Sequence, residues 1–283
     1  MTKLVILIPA RNEENALGEV IRRIPRSKLP ELEVVVVNDG STDNTAEVAR
    51  KAGATVINFA KNRGLATVFR KGVEYAVESG ADYIVNIDAD GQHPPEQIPE
   101  ILQPVLDGKA DIVIGSRLMK TGEMKAKEKL YANKFLSKVI SMLIHQKIYD
   151  STSGFRAFTR EVAKTVKIFH KYTYTQQQLL QAAYYKFKIL EIPIPIIERK
   201  EGKSKLIKNI WSYAYSAINI IFLNLVYLYP FKFFSLFGLI FILSGVVLDT
   251  TFVGHSLLAA VLVLSGIMFV LFGALFELMQ KYK

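Results

Sequence analysis

Short apolar runs recur along the first 115 residues and are separated by longer segments with helical spacing. The runs are rich in Val and Ile and end in polar or Gly-containing turns, which is typical of buried strands. They lie at residues 4–8, 32–37, 54–59, 83–87 and 111–115. Strands that alternate with helices in this way predict an α/β fold with a mostly parallel sheet covered on both faces.

The segments between these strands contain the usual start signals of helices. Asn12 or Asn15 begins a helix that runs to about Arg23, and Ser41 is a suitable N-cap for a helix ending near Gly53. Two further helices are predicted at residues 65–79 and 96–107.

The pattern is less regular after Arg117. Residues 119–129 are polar and rich in lysine, and are predicted to form a mobile loop. Beyond this loop we predict, in chain order, a helix at about 128–146, a turn at 150–154, a strand at 155–158, two short helices and a strand at 188–192. Residues 199–205 form a charged link that contains Gly202.

Two long apolar segments follow near the end of the chain. Residues 233–253 carry one charge, Asp249, and residues 256–276 carry none. Each is close to the ~20 residues that span a bilayer core, so we predict two transmembrane helices. A buried pair of soluble helices is disfavoured, because neither segment has a polar face.

Basic residues predict how this hairpin is oriented. Lys232 precedes it, Lys281 and Lys283 follow it, and the short link inside it has no Lys or Arg. The positive-inside rule therefore places both chain ends in the cytoplasm. Small residues would allow close helix packing, either within the hairpin or between the subunits of a homo-oligomer. They are Ser244, Gly245, Ser265, Gly266 and Gly273.

The segment at residues 206–229 is apolar in the middle and carries Trp and Tyr side chains, with Lys205 and Lys208 at one end. A third membrane span would place the basic carboxyl terminus outside the cell. An amphipathic helix in the headgroup layer is favoured, because Trp and Tyr rings are enriched there. The predicted domains are residues 1–204, 205–230 and 231–283.

Composition narrows the classes of function. The formal charge of +10 suits nucleic acid, anionic lipid or a phosphorylated substrate. The absence of cysteine excludes disulfides and thiolate metal sites. No signal peptide precedes the first strand, so the amino-terminal part is expected in the cytoplasm. The dinucleotide and phosphate-loop glycine motifs are missing, and the four histidines are scattered.

Acidic residues stand where two predicted strands end. Asp39 follows the second strand, and Asp88 and Asp90 follow the fourth. Open α/β sheets bind their ligands at this edge. Two carboxylates so close together are costly unless a hard cation lies between them, which predicts Mg²⁺ or Mn²⁺ held against a diphosphate. The alternative is that these aspartates only cap turns in solvent.

Six short segments occur in a characteristic order. They are I-P-A-R-N-E at 8–13, V-N-D-G-S-T-D-N-T at 37–45, N-R-G at 62–64, D-A-D-G-Q-H-P-P at 88–95, G-S-R at 115–117 and S-G-F-R at 153–156. Together they resemble family 2 glycosyltransferases of the Rossmann-like GT-A fold, in the polyprenyl-phosphate branch typified by the dolichyl-phosphate mannose synthases. The resemblance covers residues 1 to about 205.

The resemblance implies roles for matching residues on the donor side. Pro9, Arg11 and Glu13 would line the base and ribose of the nucleotide, with Asp39 on the base. Asp88, Asp90 and Gln92 would bind the metal and, with Ala89, the diphosphate. The link at 199–205 reads R-x-x-G-x-S-K, and its Arg199, Ser204 and Lys205 would close over the donor.

On the acceptor side, a phosphate monoester is already an anion near neutral pH, since its second pKa is about 6. Its site therefore needs cations more than a general base. Arg117 would meet the acceptor phosphate, and Arg156 supplies another cation. Asp150 would orient the acceptor or act as a base, or else cap its loop. The family's second acceptor cation has no clear match at Asn133, so nearby lysines are candidates to replace it: Lys125, Lys127, Lys129 and Lys134.

These features predict inverting, metal-dependent transfer of one hexose, from a UDP-hexose or GDP-mannose, to a dolichyl-type polyprenyl phosphate. The reaction would occur at the cytoplasmic face of the cell membrane, with no nucleic-acid partner. The sequence S-T-D at 41–43 favours a UDP-hexose slightly. The alternatives are transfer to a lipid or glycan hydroxyl, nucleotidyl transfer on the same fold, or a non-catalytic membrane-tethered subunit that binds nucleotide sugars.

Overall fold

The computed structural model describes residues 2–119, 127–169, 173–195, 210–251 and 256–281. The chain separates into two compact units, Met1–Ala217 and Ile218–Lys283. Two predicted features lie largely outside the described residues, namely the mobile loop at 119–129 and the charged link at 199–205.

The first unit contains the sheet and its covering helices. Its strands are β1 (Lys3–Ala10), β2 (Glu31–Asn38), β3 (Thr55–Asn58), β4 (Tyr83–Asn86), β5 (Ile112–Ser116), β6 (Arg156–Thr159) and β7 (Ile189–Pro193). Its helices are α1 (Leu17–Arg22), α2 (Thr45–Lys51), α3 (Leu65–Glu78), α4 (Ile98–Leu106), α5 (Lys127–Ile144), α6 (Arg160–Thr165) and α7 (Thr175–Tyr184). Short 3₁₀ turns occur at Arg26–Lys28 and Pro95–Gln97.

The seven strands form one sheet in the order β3-β2-β1-β4-β6-β5-β7. All neighbouring strands are parallel except β6, which runs antiparallel to both β4 and β5. Residues 4–8 of β1 are completely buried, because parallel sheets are covered on both faces. The prediction of a mostly parallel α/β sheet is confirmed, and the direction of β6 is an addition to it.

Hydrogen bonds join the loops that follow β1 and β2. The backbone N–H of Asn12 donates to Ser41 Oγ at 2.9 Å, and the N–H of Thr42 donates to Asn12 Oδ1 at 2.9 Å. Because these polar groups serve the loops, they do not cap helices. The predicted helix starts at Asn12 or Asn15 and at Ser41 are therefore wrong, and both helices begin later.

The apolar end of the chain forms three helices, α8 (Ile210–Leu228), α9 (Pro230–Thr251) and α10 (Ser256–Lys281). Both α9 and α10 are long and apolar enough to cross a membrane. In the described residues of α8, Ile220, Asn224 and Leu228 form a buried row, while Ile218 and Phe222 are exposed. The position of α8 in the headgroup layer stays a prediction.

Glycines bring α9 and α10 into backbone contact. A Cβ atom added to Gly238 would lie 2.6 Å from the carbonyl oxygen of Gly266, and one added to Gly245 would lie 2.7 Å from that of Ala259. Van der Waals packing of this kind holds helices together in lipid, where water provides no hydrophobic drive. Gly245 and Gly266 thus serve contacts inside the hairpin, one of the two uses expected for them.

Candidate active site

Asp39 and Asp88 lie beside the carboxyl end of β1, which runs between β2 and β4. The N–H of Asp39 donates to Ala10 O at 2.9 Å, and the N–H of Ile87 donates to Leu7 O at 3.0 Å. Both hydrogen bonds extend the strand pairing to this edge. The carboxylates therefore stand where open α/β sheets bind ligands.

Asp39 organises a third loop at this edge. Its side chain is buried, and its carboxylate accepts the backbone N–H groups of Arg63 at 2.6 Å and Gly64 at 3.2 Å. Gly64 has φ +90°, which glycine adopts without strain. Asp39 thus holds the N-R-G loop against the end of β2, and its contact with a nucleotide base stays a prediction.

The other predicted donor residues share this edge. Pro9 is buried near the carboxyl end of β1, Arg11 is exposed just beyond it, and Glu13 is half-buried. Ala89 is buried between the two aspartates, and Gln92 is half-buried. The strand order places this set on the same sheet edge as Asp39. Arg199, Ser204 and Lys205 lie outside the described residues.

The carboxylate of Asp88 is 38% exposed and lies in a narrow slot formed by Gly154, Tyr174 and His93. A Cβ atom added to Gly154 would lie 2.9 Å from Asp88 Oδ1 and 3.0 Å from the hydroxyl oxygen of Tyr174. On another side, Nδ1 of the buried His93 is 3.5 Å from Asp88 Oδ2. Burial raises the pKa of Asp88, but His93, Arg117 and Arg156 outweigh it, so the net pKa is lowered. A Cβ atom at position 154 would therefore crowd the carboxylate, and glycine avoids this.

Buried polar groups fix Gly154 in this position. The side-chain amide of Asn86 donates to Gly154 O at 2.7 Å and to the Tyr174 hydroxyl at 2.8 Å. The ring of Tyr174 stacks on Phe69 with 3.6 Å between centroids. Burial, followed by the nearby charge of Asp88, raises the pKa of Tyr174, so its hydroxyl stays neutral. Asn86, Gly154 and Tyr174 carried no separate prediction, since only the fold brings them beside Asp88.

Arg117 and Asp150, both predicted on the acceptor side, form a two-pronged ion pair. Arg117 Nε donates to Asp150 Oδ2 at 2.6 Å, and Nη2 donates to Oδ1 at 2.9 Å. The Asp150 side chain is completely buried, whereas Arg117 is 17% exposed. Burial raises the pKa of Asp150, but Arg117 outweighs this and holds the pKa below its usual value. A buried, ionised and paired carboxylate is a weak base, so we assign Asp150 to positioning Arg117.

Arg156 is buried beneath the turn at 150–154. Its guanidinium donates to the carbonyl oxygens of Ser151 at 2.9 Å, Ser153 at 2.9 Å and Thr175 at 2.7 Å, and to Gln178 Oε1 at 3.0 Å. Burial lowers the pKa of Arg156 to about 10. These bonds make Arg156 a support for the turn, and they disfavour the predicted direct contact with the acceptor.

The chemistry of Asp88 and Asp90 fits a divalent metal. Both are partly exposed hard oxygen donors, and Asp90 Oδ1 also accepts the N–H of Gln92 at 3.1 Å. In the part of the chain that the structure describes, no group of three His, Cys, Asp or Glu side chains forms a metal cage. Mg²⁺ typically takes one or two carboxylates and completes its shell with water and substrate phosphates. The two aspartates match that mode.

Comparison with known proteins decides the family. The family model for glycosyl transferase family 2 matches residues 5–167. The chain belongs to this family.

Two curated relatives match most of this glycosyltransferase. The dolichyl-phosphate hexose transferase of Haloferax volcanii is 32% identical over 208 residues, which cover 72% of this chain and 86% of the relative. The polyprenol monophosphomannose synthase of Mycolicibacterium smegmatis is 28% identical over 216 residues, which cover 72% and 81%. Both carry the name of a polyprenyl-linked sugar transferase.

A solved structure shares the GT-A fold. Glucosyl-3-phosphoglycerate synthase from Mycobacterium tuberculosis, in complex with Mn²⁺, UDP-glucose and phosphoglyceric acid, gives a TM-score of 0.61 at 18% identity. The match covers 79% of each chain. At this level of identity the likeness concerns the fold alone. It confirms the GT-A prediction for this family 2 glycosyltransferase.

Because of the Arg117–Asp150 ion pair, the free energy of unfolding of this glycosyltransferase should decrease as the pH is lowered into the acid range. The folded pKa of Asp150 is lowered, so the pair contributes fully above the unfolded pKa, about 4, and its contribution is lost as pH falls through the folded value. Asp150→Asn should cost about 3 kcal/mol at neutral pH, the low end for a broken buried pair, because Arg117 is partly exposed. Thermal unfolding at neutral and acid pH measures this.

The difference in stability between wild type and Asp150→Asn should shrink as the pH is lowered. Asp107→Asn is the control, because Asp107 pairs with Lys109 on the surface, where ion pairs contribute little. A difference that stays constant from neutral to acid pH would contradict the assignment.

Proposed function

We propose that the protein transfers one hexose, with inversion, from a nucleotide sugar to the phosphate of a polyprenyl phosphate. The observation that supports this is that one sheet edge carries two centres of opposite charge. Asp88 and Asp90 form the acidic centre, and Arg117 forms the basic one. The turn at 150–154 connects them, since Asp150 holds Arg117 and a Cβ atom added to Gly154 would lie 2.9 Å from Asp88 Oδ1.

The acidic centre suits the donor. Asp88 and Asp90, with Gln92, would hold Mg²⁺ or Mn²⁺, which would neutralise the charge of the departing nucleoside diphosphate. The loops after β1 and β2 would surround the nucleoside, with Asp39 bracing them. A UDP-hexose and GDP-mannose are both compatible with this set, and the S-T-D sequence favours the UDP-hexose slightly.

The basic centre suits an acceptor that is already charged. An oxygen of the acceptor phosphate attacks the anomeric carbon from the side opposite the leaving diphosphate, which inverts that carbon. No carboxylate base is required, because the phosphate is an anion at neutral pH. The buried and paired state of Asp150 agrees with this requirement, since it leaves Asp150 unsuited to take a proton.

The apolar hairpin would bring the acceptor within reach. We place α9 and α10 across the cell membrane, with both chain ends and the sheet domain in the cytoplasm, because the flanking lysines follow the positive-inside rule. Family membership and the two curated relatives support a transferase that uses a polyprenyl phosphate, and the two apolar helices support its attachment to a membrane. Polyprenyl phosphate is anchored in the bilayer, so an enzyme that uses it gains from the same anchor.

The test is a matrix of donors and acceptors with the full chain in lipid nanodiscs. UDP- and GDP-sugars are combined with dolichyl or undecaprenyl phosphate, and the lipid product is identified by mass. We expect one donor to give a phosphate-linked, acid-labile hexosyl lipid whose anomeric configuration is opposite to that of the donor. The matched acceptor is the corresponding free polyprenol. Product formed on the polyprenol alone, retention of configuration, or donor binding without any turnover would refute the proposal.

A further inference from the structure

Helix α5 carries apolar side chains on two opposite faces. On the inner face, Leu136 and Ile140 are buried. On the outer side, Tyr131 and Phe135 are each 70% exposed and Met142 is 59% exposed. At about 100° per residue, the three exposed side chains fall within about 40° of one another and lie nearly opposite Ile140. A second apolar stripe of this kind is unusual on a helix that already packs against a sheet domain.

Basic residues accompany the exposed stripe. At the same spacing the exposed Lys138 projects about 20° outside this sector, and the exposed Lys134 projects about 60° outside it. The sequence from 130 to 144 contains no Asp or Glu. We call Tyr131, Phe135, Lys138 and Met142 the outer face of α5. It combines aromatic rings, a flexible apolar side chain and positive charge.

We propose that the outer face of α5 docks the sheet domain on an anionic bilayer surface. Tyr rings are enriched at the headgroup level, and each lysine near an anionic leaflet favours binding by about fivefold. This inference rests on the membrane placement in the proposed function. It adds a contact between the lipid surface and the catalytic domain itself, separate from the two apolar helices.

A bilayer fits this face better than a second copy of the chain. A stable protein interface buries about 800 Å² on each partner, far more than three side chains supply. In a symmetric pair of outer faces the like-charged lysines would also meet one another. A bilayer needs only weak affinity, because the apolar helices of the same chain tether the domain and keep its effective concentration at the membrane high.

The inner face of α5 connects this surface to the acceptor side. Ser137 Oγ accepts the N–H of Ser151 at 2.9 Å and donates to Ser151 Oγ at 3.0 Å. Ser151 belongs to the turn that holds Arg117. One helix diameter, about 10–12 Å, therefore separates the outer face from that turn. Docking α5 at the headgroups would hold the acceptor turn about one helix diameter above the bilayer surface, on the side from which a lipid phosphate is reached.

The test uses the full chain at one copy per nanodisc. Phe135→Trp is placed in a Trp211→Phe background, so that the introduced tryptophan is the only one. Brominated lipids then report its contact with the acyl region, in neutral discs and in discs containing phosphatidylglycerol. We expect strong quenching in the anionic discs, weak quenching in the neutral ones, and loss of quenching at high salt.

Lys138→Glu in the same background is the matched variant. It reverses one charge on the outer face and should shift the ratio of docked to undocked protein about thirtyfold toward the undocked state in anionic discs. Met142→Trp is a second reporter on the same face, in case Phe135→Trp fails to fold.

Equal quenching in neutral and anionic discs, or none in either, would overturn the proposal. Quenching that requires two copies per disc would indicate self-association instead, and quenching displaced by polyprenyl phosphate would assign the face to the acceptor chain. Sugar transfer is measured in the same discs. Transfer without docking refutes this inference alone, whereas docking without transfer refutes the proposed function alone.

Discussion

Replacing Asp88 by Asn is expected to slow sugar transfer by about a thousandfold, and Asp90→Asn should have a similar effect. Asparagine keeps the size of each side chain but removes the negative charge that would hold a divalent metal against the diphosphate. The loss of several kcal/mol of charge stabilisation in the transition state gives this magnitude. Initial rates at saturating Mn²⁺ measure it.

Asp107→Asn is a suitable control for this pair, because Asp107 lies at the surface end of α4 and pairs with Lys109 at 2.8 Å. It should transfer sugar at the wild-type rate. Binding of the donor should depend on metal in the wild type and lose that dependence in Asp88→Asn. Near-wild-type rates in both Asp88→Asn and Asp90→Asn would refute the metal assignment.

Gly154→Ala is expected to weaken metal binding by about 10- to 100-fold, the usual effect of disturbing a group that orients a ligand. The added methyl group would lie 2.9 Å from Asp88 Oδ1 and 3.0 Å from the hydroxyl oxygen of Tyr174. Tyr174 is fixed by its stack on Phe69, so Asp88 is the group that must move. Titration of Mn²⁺ by electron paramagnetic resonance measures the affinity directly, without reference to turnover.

Tyr174→Phe distinguishes the effect of crowding Asp88 from the effect of losing the hydrogen bond between Asn86 and Tyr174. It removes the hydroxyl that accepts from Asn86 but adds no atom beside Asp88. We expect Tyr174→Phe to keep its affinity for Mn²⁺ within a few-fold, even where it lowers stability. If Gly154→Ala binds Mn²⁺ as tightly as the wild type, the slot does not position Asp88.

The sheet and its ligand edge could be predicted because their signals are local. A run of Val and Ile followed by an acid specifies a strand and its end within a few residues, as at Asp39 and Asp88. The direction of β6 could not be predicted in this way. A four-residue strand has the same pattern in either direction, and its pairing with β4 and β5 depends on residues about 40 to 75 positions away in the sequence.

The difference between local signals and contacts between distant residues also explains why the predicted roles of some side chains are wrong. Ser41 has the chemistry of an N-cap, yet the neighbouring loop recruits it through Asn12. Arg156 has the charge of an acceptor ligand, yet the carbonyl groups of the turn at 150–154 surround it. Residue type indicates what a side chain is able to bind. Tertiary proximity decides which partner it meets, and short motifs do not carry that information.

The backbone contacts between α9 and α10 also bear on how this part of the chain can change over evolutionary time. The small residues face inward, as Gly238 and Gly266 do, and the large ones point away from the hairpin, as Leu239 and Met268 do. In the proposed membrane placement these outward side chains face hydrocarbon, which accommodates Leu, Ile, Val, Phe and Met about equally well, so exchanges among them should be close to neutral. The glycines have no such freedom. The hairpin should therefore diverge rapidly in sequence while keeping a sparse, evenly spaced set of glycines by which distant versions can be aligned.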